Sequence, residues 1–469
     1  MCARVIQQKR VLGEIKEKRK RKTISGSGNP RTGENMNNTE TYRQTAQEML
    51  TFIEKSPSCY HAIANIKDTL RAQGFRELAE KNAWEIQAGG KYFVTRNDSS
   101  IIAFQIPENA EAIKGFHLIA SHSDSPTFKI KEEPEIKVEG KYVKLNTERY
   151  GGMILSTWLD RVLSVAGRIA VQGENGGIET KLVHIDEDLL VIPNLAVHMN
   201  RDMNNGFAYN AQVDMLPLFG AAGEEDCKGT LLKKIAEQAG VTAEEILGHD
   251  LFLYTREKGR IIGNGGEFVF SPRLDDLQCA FTSLKAFVES TPAQYINVCA
   301  VFDNEEVGSS TMQGANSTLL EDVVWRVGKA LGADKATCLQ WIADSFLISA
   351  DNAHAVHPNH PEKADPTNRP FMNGGIVIKY NGNQKYTTDA VSAAKMKSLC
   401  KAAEVPYQTF ANRSDSVGGS TLGNISTAHV SVSSVDIGLP QLAMHSAVET
   451  AGVKDTEYAV KAFKEFWKE

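Results

Sequence analysis

Metal-binding and general-base side chains occur at the ends of five apolar stretches that span more than three hundred residues of the chain. The five stretches, with their polar residues, are GFHLIASHSDS (His122, Asp124), SPRLDDL (Asp275, Asp276), VCAVFDNEEVGS (Glu305, Glu306), DSFLISADNAHA (Asp351, His354) and LPQLAMHSAVET (His445, Glu449). Histidines together with several carboxylates are the ligand mixture of a two-metal hydrolase. Because all five stretches share one layout, the sequence predicts a single metal site assembled from distant parts of the chain.

The elements around these residues indicate how they could meet. Apolar runs that alternate with helical segments after Phe268, such as INVCAVFD, SFLISAD, GGIVIKY, PYQTFAN and PQLAMHS, indicate an α/β fold. Its sheet would be largely parallel and flanked by helices on both faces. In such sheets, sites assemble beyond the carboxyl ends of the strands. Most of the candidate ligands follow their apolar run closely, whereas Asp275 precedes a helix, where the macrodipole also favours negative charge.

Each stretch alone has an ordinary structural explanation, namely a polar turn, a solvated loop or a helix cap. Two of them nevertheless offer specific chemistry. Asp124 could accept a hydrogen bond from the His122 imidazole, which would fix the tautomer that donates to a metal. The adjacent carboxylates of Glu305 and Glu306 repel each other, so at least one of them favours a nearby cation. The motifs HExxH, GxxxxGKS/T and GxSxG are absent, which argues against zincins, P-loop enzymes and α/β-hydrolases.

The composition excludes several classes of protein. With 469 residues, 42% hydrophobic and 23% charged, the chain suits a soluble protein of about two to three domains. No apolar run approaches the roughly 20 residues of a membrane span. Seven dispersed cysteines, none in a CxxC pair, favour reduced thiols in the cytoplasm. Residues 1–35 carry ten basic and three acidic side chains, so the rest of the chain has a net charge of −13 and should repel nucleic acid.

The N-terminal segment, residues 1–35, is predicted to be a disordered basic tail, although its RKRK run could instead be a nucleic-acid or targeting patch. Thr39 or Thr41 would cap the amphipathic helix that follows, and the apolar stripe of this helix consists of Ala46, Met49, Leu50, Phe52 and Ile53. A sharper hypothesis is that translation starts at Met36. The codons of Gly33-Glu34-Asn35 before it can contain a purine-rich GGAGAA, which resembles a bacterial ribosome-binding site.

The middle of the chain differs from the parts on either side in its pattern of polar and apolar residues. Segments such as PTFKIKEEPEIKVEGKYVKLNTERYGG alternate polar and apolar residues, with turns at Glu139-Gly140 and Gly151-Gly152. The flanking parts instead alternate helical and buried-strand patterns. The simplest architecture is a catalytic domain made of residues 36–124 and 258–469, with a β-rich domain of residues 125–257 inserted into it.

These motifs resemble those of the aspartyl aminopeptidase family of dinuclear zinc exopeptidases, in a bacterial-type member. HSDSP, RLDDL, DNEEVGS, SADNAHAVHPNH and AMHS carry the resemblance, in this order and spacing, and it covers about residues 36–469. The resemblance implies a zinc-exopeptidase-like catalytic domain and an inserted domain that mediates dimerisation and further assembly into a dodecamer. It also implies peptide substrates and two zinc ions per subunit, for which Co²⁺ or Mn²⁺ can substitute.

The resemblance further assigns metal ligands to individual residues. His122, Asp275 and Asp351 would hold one zinc ion. Asp275, Glu306 and His445 would hold the other, so that Asp275 bridges the two ions. Each of these residues stands in one of the five motifs.

Catalytic roles are implied for Glu305 and Asp124. The two metal ions would activate a shared water and polarise the scissile carbonyl. Glu305 would take the proton of that water and pass it to the leaving amine, while Asp124 supports His122. Because the free α-amine of the peptide would bind near the metals, the activity would be that of an aminopeptidase.

The resemblance implies a preference for peptides whose first residue is Asp or Glu. Recognition of such a residue requires local positive charge, since the body of the chain is net negative. The residues implied for substrate binding are Lys379, the pocket-shaping Gly418, Gly419 and Ser420, His354 in a loop at the mouth, and His198, which would reach the active site of the neighbouring subunit. One alternative is an aminopeptidase of broader specificity, or a deacylase, on the same scaffold. Another is a non-enzymatic assembly or nucleic-acid-binding protein that acts through the basic tail.

Overall fold

The computed structural model of the protein describes residues 31–173, 175–223 and 227–469. Residues 1–30 of the predicted tail lie outside this part. The described α-helices are, in chain order, α1 (Arg31–Glu54), α2 (Cys59–Ala72), α3 (Thr230–Ala239), α4 (Leu274–Val288), α5 (Leu319–Ala330), α6 (Lys335–Ala343), α7 (Ala390–Ala402), α8 (Leu422–His429) and α9 (Val453–Phe466). None of these described helices is long and apolar enough to cross a membrane.

The described strands fall into three sheets. In chain order they are β1 (Arg76–Glu77), β2 (Lys91–Arg96), β3 (Ser100–Gln105), β4 (Gly115–His122), β5 (Thr127–Val138), β6 (Tyr142–Tyr150), β7 (Val162–Gln172), β8 (Ile178–His184), β9 (Leu190–Val191), β10 (Leu218–Ala221), β11 (Ile246–Thr255), β12 (Arg260–Ile262), β13 (Phe268–Ser271), β14 (Tyr295–Phe302), β15 (Phe346–Ala350), β16 (Ala353–His354), β17 (Ile376–Tyr380), β18 (Tyr407–Ala411), β19 (Ser433–Gly438), β20 (Pro440–Leu442) and β21 (Glu449–Gly452).

Helix α1 differs from its prediction at the N-terminal end. It begins at Arg31, so Thr39 and Thr41 lie inside the helix and the prediction that one of them caps it is wrong. Residues 31–35, predicted as the end of the disordered tail, are helical as well. The predicted apolar stripe is confirmed, because the side chains that form it are buried: Ala46, Met49, Leu50, Phe52 and Ile53.

The largest sheet has nine strands in the order β1-β2-β3-β14-β4-β15-β19-β17-β18. Its four central strands, β14, β4, β15 and β19, run parallel to one another. Every residue of β4 and β15 is buried, because successive side chains enter the apolar clusters on opposite faces of the sheet. The predicted α/β fold is therefore confirmed, with antiparallel strands added among the outer ones.

Residues 127–255 contain a second, antiparallel sheet of seven strands. β11 pairs with both β5 and β7, so six strands close into a barrel and β8 lies outside it on β7. The interior is filled by apolar side chains that include Phe128, Leu145, Val165 and Leu251. Closure leaves few free strand edges, which suits a small antiparallel domain. The predicted β-rich insertion is therefore confirmed, whereas its closure into a barrel was not predicted.

A third sheet, with the strand order β12-β13-β21-β20-β16, was not predicted. The prediction that the run PQLAMHS belongs to the large parallel sheet is wrong. Its strand β20 is only three residues long and pairs instead with β16 and, in antiparallel fashion, with β21. A short apolar run predicts a strand but does not specify which neighbour it pairs with. Two of the candidate ligands follow strands of this small sheet, Asp275 after β13 and His445 after β20.

Candidate metal centre and substrate cavity

Three strands of the nine-stranded sheet bring polar side chains to one end of that sheet. His122 is the last residue of β4, Asp351 directly follows β15, and Glu305 and Glu306 lie in a short 3₁₀ turn after β14. Both β14 and β15 pair with β4 in parallel. The carboxyl ends of the three strands therefore lie side by side, and so do the residues that follow them.

Two further candidate ligands, Asp275 and His445, follow strands of the small sheet. Asp275 lies in the first turn of α4, and its peptide bond with Asp276 is cis. Asp275 Oδ1 lies 3.5 Å from His122 Nε2, and Asp275 Oδ2 lies 3.6 Å from His445 Nε2. The same nitrogen of His445 lies 3.3 Å from Glu306 Oε2. The Asp275 carboxylate thus lies between the two imidazole rings.

The potential ligand atoms form three overlapping groups, and within each group all atoms lie within 4.8 Å of one another. The groups are His122, Asp275, Asp276 and Asp351; His122, Glu305 and Glu306; and Asp275, Glu306 and His445. The structure therefore brings together the five predicted ligands and Glu305. Asp276, a polar residue of the SPRLDDL stretch, joins them, although the family resemblance assigned it no role. Its Oδ2 accepts a hydrogen bond from the backbone amide of His122 at 3.1 Å.

Several carboxylate oxygens in this cluster are buried without a hydrogen-bond donor. Among the described residues they include Asp275 Oδ1, Asp276 Oδ1 and Glu306 Oε1. Burial, opposed by His122 and reinforced by nearby carboxylates, raises the pKa of Glu305 to about 8, and burial raises the pKa of Asp351 to about 6. Buried, unpaired carboxylates of this density keep their charge only beside a cation. Imidazole and carboxylate donors suit zinc, so these residues fit a zinc centre.

Both imidazole rings are oriented by a contact on the nitrogen that faces away from the cluster. His122 Nδ1 lies 3.0 Å from the backbone oxygen of Asp124 and 3.2 Å from its Oδ1. His445 Nδ1 lies 2.6 Å from the backbone oxygen of Gly152. Because these oxygens are acceptors, each Nδ1 carries the proton in the neutral ring. Each Nε2 is then free to act as a metal ligand.

Asp124 also connects the end of β4 to the turn after β14. Its Oδ1 accepts a hydrogen bond from the backbone amide of Glu305, and its Oδ2 accepts one from the amide of Glu306, each at 3.2 Å. Asp124 Oδ2 further accepts a hydrogen bond of 2.7 Å from the hydroxyl of Tyr150. The sequence predicted Asp124 as a partner of His122, but not as an acceptor for the backbone of the two glutamates.

A cavity of about 320 Å³ opens beside the cluster. Glu305, Lys379, Tyr386 and Phe410 are among the side chains that line it. Burial opposes the charged form of Lys379, but Asp351, Tyr386 and nearby Asp436 together raise its pKa above the ordinary value. Lys379 Nζ lies 3.9 Å from Asp351 Oδ2 and 5.5 Å from the centre of the Tyr386 ring. The cavity therefore combines a buried ammonium group with aromatic walls.

The other residues predicted to bind substrate are placed differently. Gly419 and Ser420 line the cavity, and His354 is an exposed residue at its edge. Gly418 does not line it and packs against Asn412 instead, because an added Cβ would lie 2.3 Å from Asn412 Oδ1. His198 is exposed in a turn of the inserted domain and is not among the residues that line the cavity within one chain.

Some residues of the site gave no signal in the sequence. Tyr386, Phe410 and Met444 line the cavity, but each reads as an ordinary apolar or aromatic residue. Asp436 accepts hydrogen bonds from Thr387 and Thr421 and so holds the cavity wall from behind. A buried aspartate within the apolar strand β19 was the available signal for Asp436.

A largely parallel α/β sheet with histidines and carboxylates gathered at its strand ends, beside a cavity, is typical of the class of metallohydrolases. A family model described as aminopeptidase I zinc metalloprotease (M18) matches residues 52–467. A protein of Clostridium novyi (strain NT), named probable M18 family aminopeptidase 2, is 50% identical over 424 residues, which cover 90% of this chain and 98% of the relative. One of the same name from Pseudomonas savastanoi pv. phaseolicola (strain 1448A / Race 6) is 40% identical over 423 residues, covering 89% and 97%.

Solved structures are similar as well. A cryo-EM structure of the Ape4 and Nbr1 complex matches with a TM-score of 0.88 at 39% identity, covering 91% of this chain and 86% of the other. A structure of the S. cerevisiae mApe1 dodecamer matches with a TM-score of 0.79 at 30% identity, covering 91% and 97%. The chain belongs to the M18 family of zinc metallopeptidases and is an aminopeptidase.

Proposed function

We propose that this aminopeptidase works with two zinc ions per chain. His122, Asp275 and Asp351 would hold one ion, and Asp275, Glu306 and His445 would hold the other. The observation that carries the proposal is that the two oxygens of the Asp275 carboxylate face different histidines, at 3.5 and 3.6 Å. A single ion would leave one of these oxygens and one histidine without a function. Co²⁺ or Mn²⁺ would substitute for zinc, because nitrogen and oxygen donors bind several divalent metals.

Glu305 is proposed as the general base. Zinc bound at this centre supplies Lewis acidity, which polarises the scissile carbonyl and lowers the pKa of water. Glu305 takes a proton from the attacking water and delivers it to the leaving amine. Two facts support this choice between adjacent glutamates. Glu305 lines the cavity, whereas Glu306 does not and has its Oε2 3.3 Å from His445 Nε2.

Lys379 is proposed to select an acidic first residue of the peptide. Among the described residues that line the cavity, it is the one lysine or arginine, and it is 3% exposed. A substrate carboxylate brought next to this desolvated ammonium group would be attracted more strongly than in water. The proximity of Asp351, which partly neutralises Lys379, favours a second candidate, an aminopeptidase of broader specificity.

The inserted domain, residues 125–257, is proposed to form dimers that assemble further into a dodecamer. The loop around His198 supports this proposal, because Leu195, Val197 and Met199 in it are 47%, 50% and 75% exposed. Apolar surface of this kind favours burial against another chain. The dodecameric state of the similar mApe1 structure supports the same assembly. In such a dimer, His198 would enter the active site of the neighbouring chain and contact the substrate.

The cytoplasm is the proposed location of the enzyme, with peptides as its substrates and no nucleic-acid partner. The cysteines in the described part of the chain are all free, as expected in a reducing compartment: Cys59, Cys227, Cys279, Cys299, Cys338 and Cys400. The net charge of −13 beyond residue 35 supports the absence of a nucleic-acid partner.

The proposed function is tested with purified protein of defined zinc content. Its rates on the Asp-, Glu-, Leu-, Lys- and Ala-anilides should be highest for the two acidic substrates. N-acyl amino acids, as substrates of a deacylase, should not be cleaved. Equal rates on all five anilides would remove the acidic preference. Asp275→Asn should lose zinc from both positions, and a variant that retains two ions per chain would overturn the metal assignment.

A further inference from the structure

A short segment of the inserted barrel contacts the metal centre. It consists of Tyr150, the last residue of β6, with Gly151 and Gly152, and is called the 150–152 segment below. The Tyr150 hydroxyl donates a hydrogen bond to Asp124 Oδ2 at 2.7 Å and accepts one from Asn304 Nδ2 at 2.8 Å. The Tyr150 hydroxyl is therefore hydrogen-bonded both to Asp124, which follows β4, and to Asn304, which begins the turn after β14.

The two partners of the Tyr150 hydroxyl, Asp124 and Asn304, hold the backbone of the turn that contains the proposed general base Glu305. Asp124 accepts hydrogen bonds from the amides of Glu305 and Glu306, as described above. Asn304 begins the same turn with a positive φ of 61°, and its Oδ1 accepts hydrogen bonds from the side chains of Thr311 and Gln313. Without the tyrosine hydroxyl, the side-chain amide of Asn304 would lose its acceptor, and the Asp124 carboxylate would lose its shortest hydrogen bond.

The two glycines contact the metal ligands themselves. Gly151 has a φ of +79°, and a Cβ on it would lie 3.2 Å from Glu306 Cβ and 3.3 Å from the Glu306 backbone oxygen. Glycine is required here both for the conformation and for the close approach. The carbonyl oxygen of Gly152 accepts the hydrogen bond from His445 Nδ1. The 150–152 segment therefore contacts both residues proposed to bind only the second zinc ion.

We propose that the 150–152 segment is a positioning element, through which the inserted barrel orients the Glu305–Glu306 turn and His445 of its own chain. This inference rests on the proposed zinc ligands and general base. None of the three residues is among the described residues that line the substrate cavity, so the segment acts through its neighbours. Small displacements of a general base lower the rate of catalysis without weakening substrate binding.

Tyr150→Phe tests the contribution of the hydroxyl. The variant keeps the ring that packs edge-on against Phe252, with centroids 5.5 Å apart. We expect kcat to fall about tenfold while KM stays within about twofold, because one hydrogen bond to a charged group is lost. Zinc content should not change, and the midpoint of thermal unfolding should fall only slightly, because the hydrogen bonds of one hydroxyl are lost while the ring packing is kept. Tyr142→Phe is the matched control, since Tyr142 begins the same strand and is 56% exposed.

Gly151→Ala tests the contact with Glu306 by a measurement that does not depend on turnover. Chelator competition should show one of the two zinc ions bound about tenfold or more weakly, the usual effect of a disturbed neighbour of a metal ligand. Gly140→Ala is the control for backbone strain. Gly140 also has a positive φ, +64°, but no atom lies within 4 Å of an added Cβ.

The outcomes separate this inference from the proposed function. Tyr150→Phe with wild-type kcat, together with Gly151→Ala with wild-type zinc affinity, would overturn the positioning role. A decrease in unfolding temperature alone, with kcat unchanged, would also overturn it and leave a structural role. In either case Asp275→Asn still reports on the zinc ligands. If that variant keeps both ions, the proposed function is overturned, irrespective of the segment.

Discussion

Glu449 Oε2 accepts a hydrogen bond of 3.0 Å from the backbone amide of Asp275, the residue proposed to bridge the two metals. The other oxygen of the same carboxylate accepts a hydrogen bond of 2.8 Å from the amide of His445. Glu449 is 2% exposed, so both bonds lie in a region of low dielectric. One buried carboxylate thus fixes the backbone of two candidate ligands that are far apart in the chain.

Glu449→Gln should weaken zinc binding and leave the fold intact. The amide group of glutamine can accept only one of the two hydrogen bonds, and its NH₂ group would face a backbone N–H. Disturbance of such a supporting contact reduces metal affinity by about 10- to 100-fold. Chelator competition measures this change, with Glu457→Gln, a buried glutamate bonded to Thr45, as the control. Wild-type zinc affinity in Glu449→Gln would show that Asp275 and His445 hold their positions independently.

Glu305→Gln should abolish most activity while retaining zinc. The loss of a general base lowers kcat by about 10²–10⁴, and Glu305 is not needed to complete either proposed ligand set. Glu306→Gln is the matched variant, since it should lose zinc from one position. Metal analysis and steady-state kinetics on both variants decide between the two roles. If Glu305→Gln lost zinc and Glu306→Gln kept it, the roles would be reversed, and activity above half of wild type in Glu305→Gln would refute its role as base.

The candidate ligands could be predicted from the sequence, because each stands directly beside a recognisable element. His122 ends the largely apolar strand β4, and Glu305 follows the largely apolar strand β14 within three residues. Parallel strands in neighbouring positions then bring such residues together without further information. For the large sheet, the sequence could predict only that most strands run parallel. It could not predict the strand order, because an apolar run does not specify which strand lies next to it.

Contacts made by backbone atoms could not be predicted. The backbone carbonyl of Gly152 orients His445, and backbone amides donate hydrogen bonds to Asp124 and Glu449. Nearly every residue has these backbone groups, so the sequence does not mark which of them make such contacts. Tyr150 ends a strand in which alternation of side chains was the visible pattern, and nothing in that pattern indicates that its hydroxyl reaches another domain. The closure of the barrel likewise depends on β11 pairing with two strands that are distant in sequence.

Lys379→Met should change specificity more than it changes catalysis. The proposed ammonium contact is worth most to substrates with an acidic first residue, so kcat/KM for Asp- and Glu-anilides should fall about tenfold or more. The value for Leu-anilide should change by less than about threefold. Lys385→Met, at an exposed lysine of the following loop, is the control. An equal loss on acidic and neutral substrates would indicate that Lys379 supports Asp351 and does not select the substrate.

Mixing two inactive variants tests whether active sites are shared between chains. In His198→Ala the chain keeps Glu305, and in Glu305→Gln it keeps His198. If His198 acts in the neighbouring site, each mixed dimer has one complete site. Random exchange in a symmetric dimer would then restore about a quarter of wild-type activity. Activity is measured after subunit exchange has been verified by mass. No recovery, or a fully active monomer, would show that the site is complete within one chain.

The free energy of unfolding should fall in mild acid because of His117, which is 0% exposed and stacked between the rings of Tyr295 and Phe466. Burial, together with the positive charge of Lys395, lowers the pKa of His117 to about 3 in the folded protein, against 6.5 for an ordinary histidine. Below about pH 6.5 the unfolded chain binds a proton that the folded chain excludes. The contribution of His117 to the free energy of unfolding is therefore complete above pH 6.5 and decreases by about 1.4 kcal/mol per pH unit as the pH falls toward 3.

Urea unfolding between pH 4.5 and 7 measures this slope. His117→Phe removes the titrating group and should have a shallower slope, whatever its stability at pH 7, whereas equal slopes in the two proteins would show that His117 does not contribute to acid unfolding.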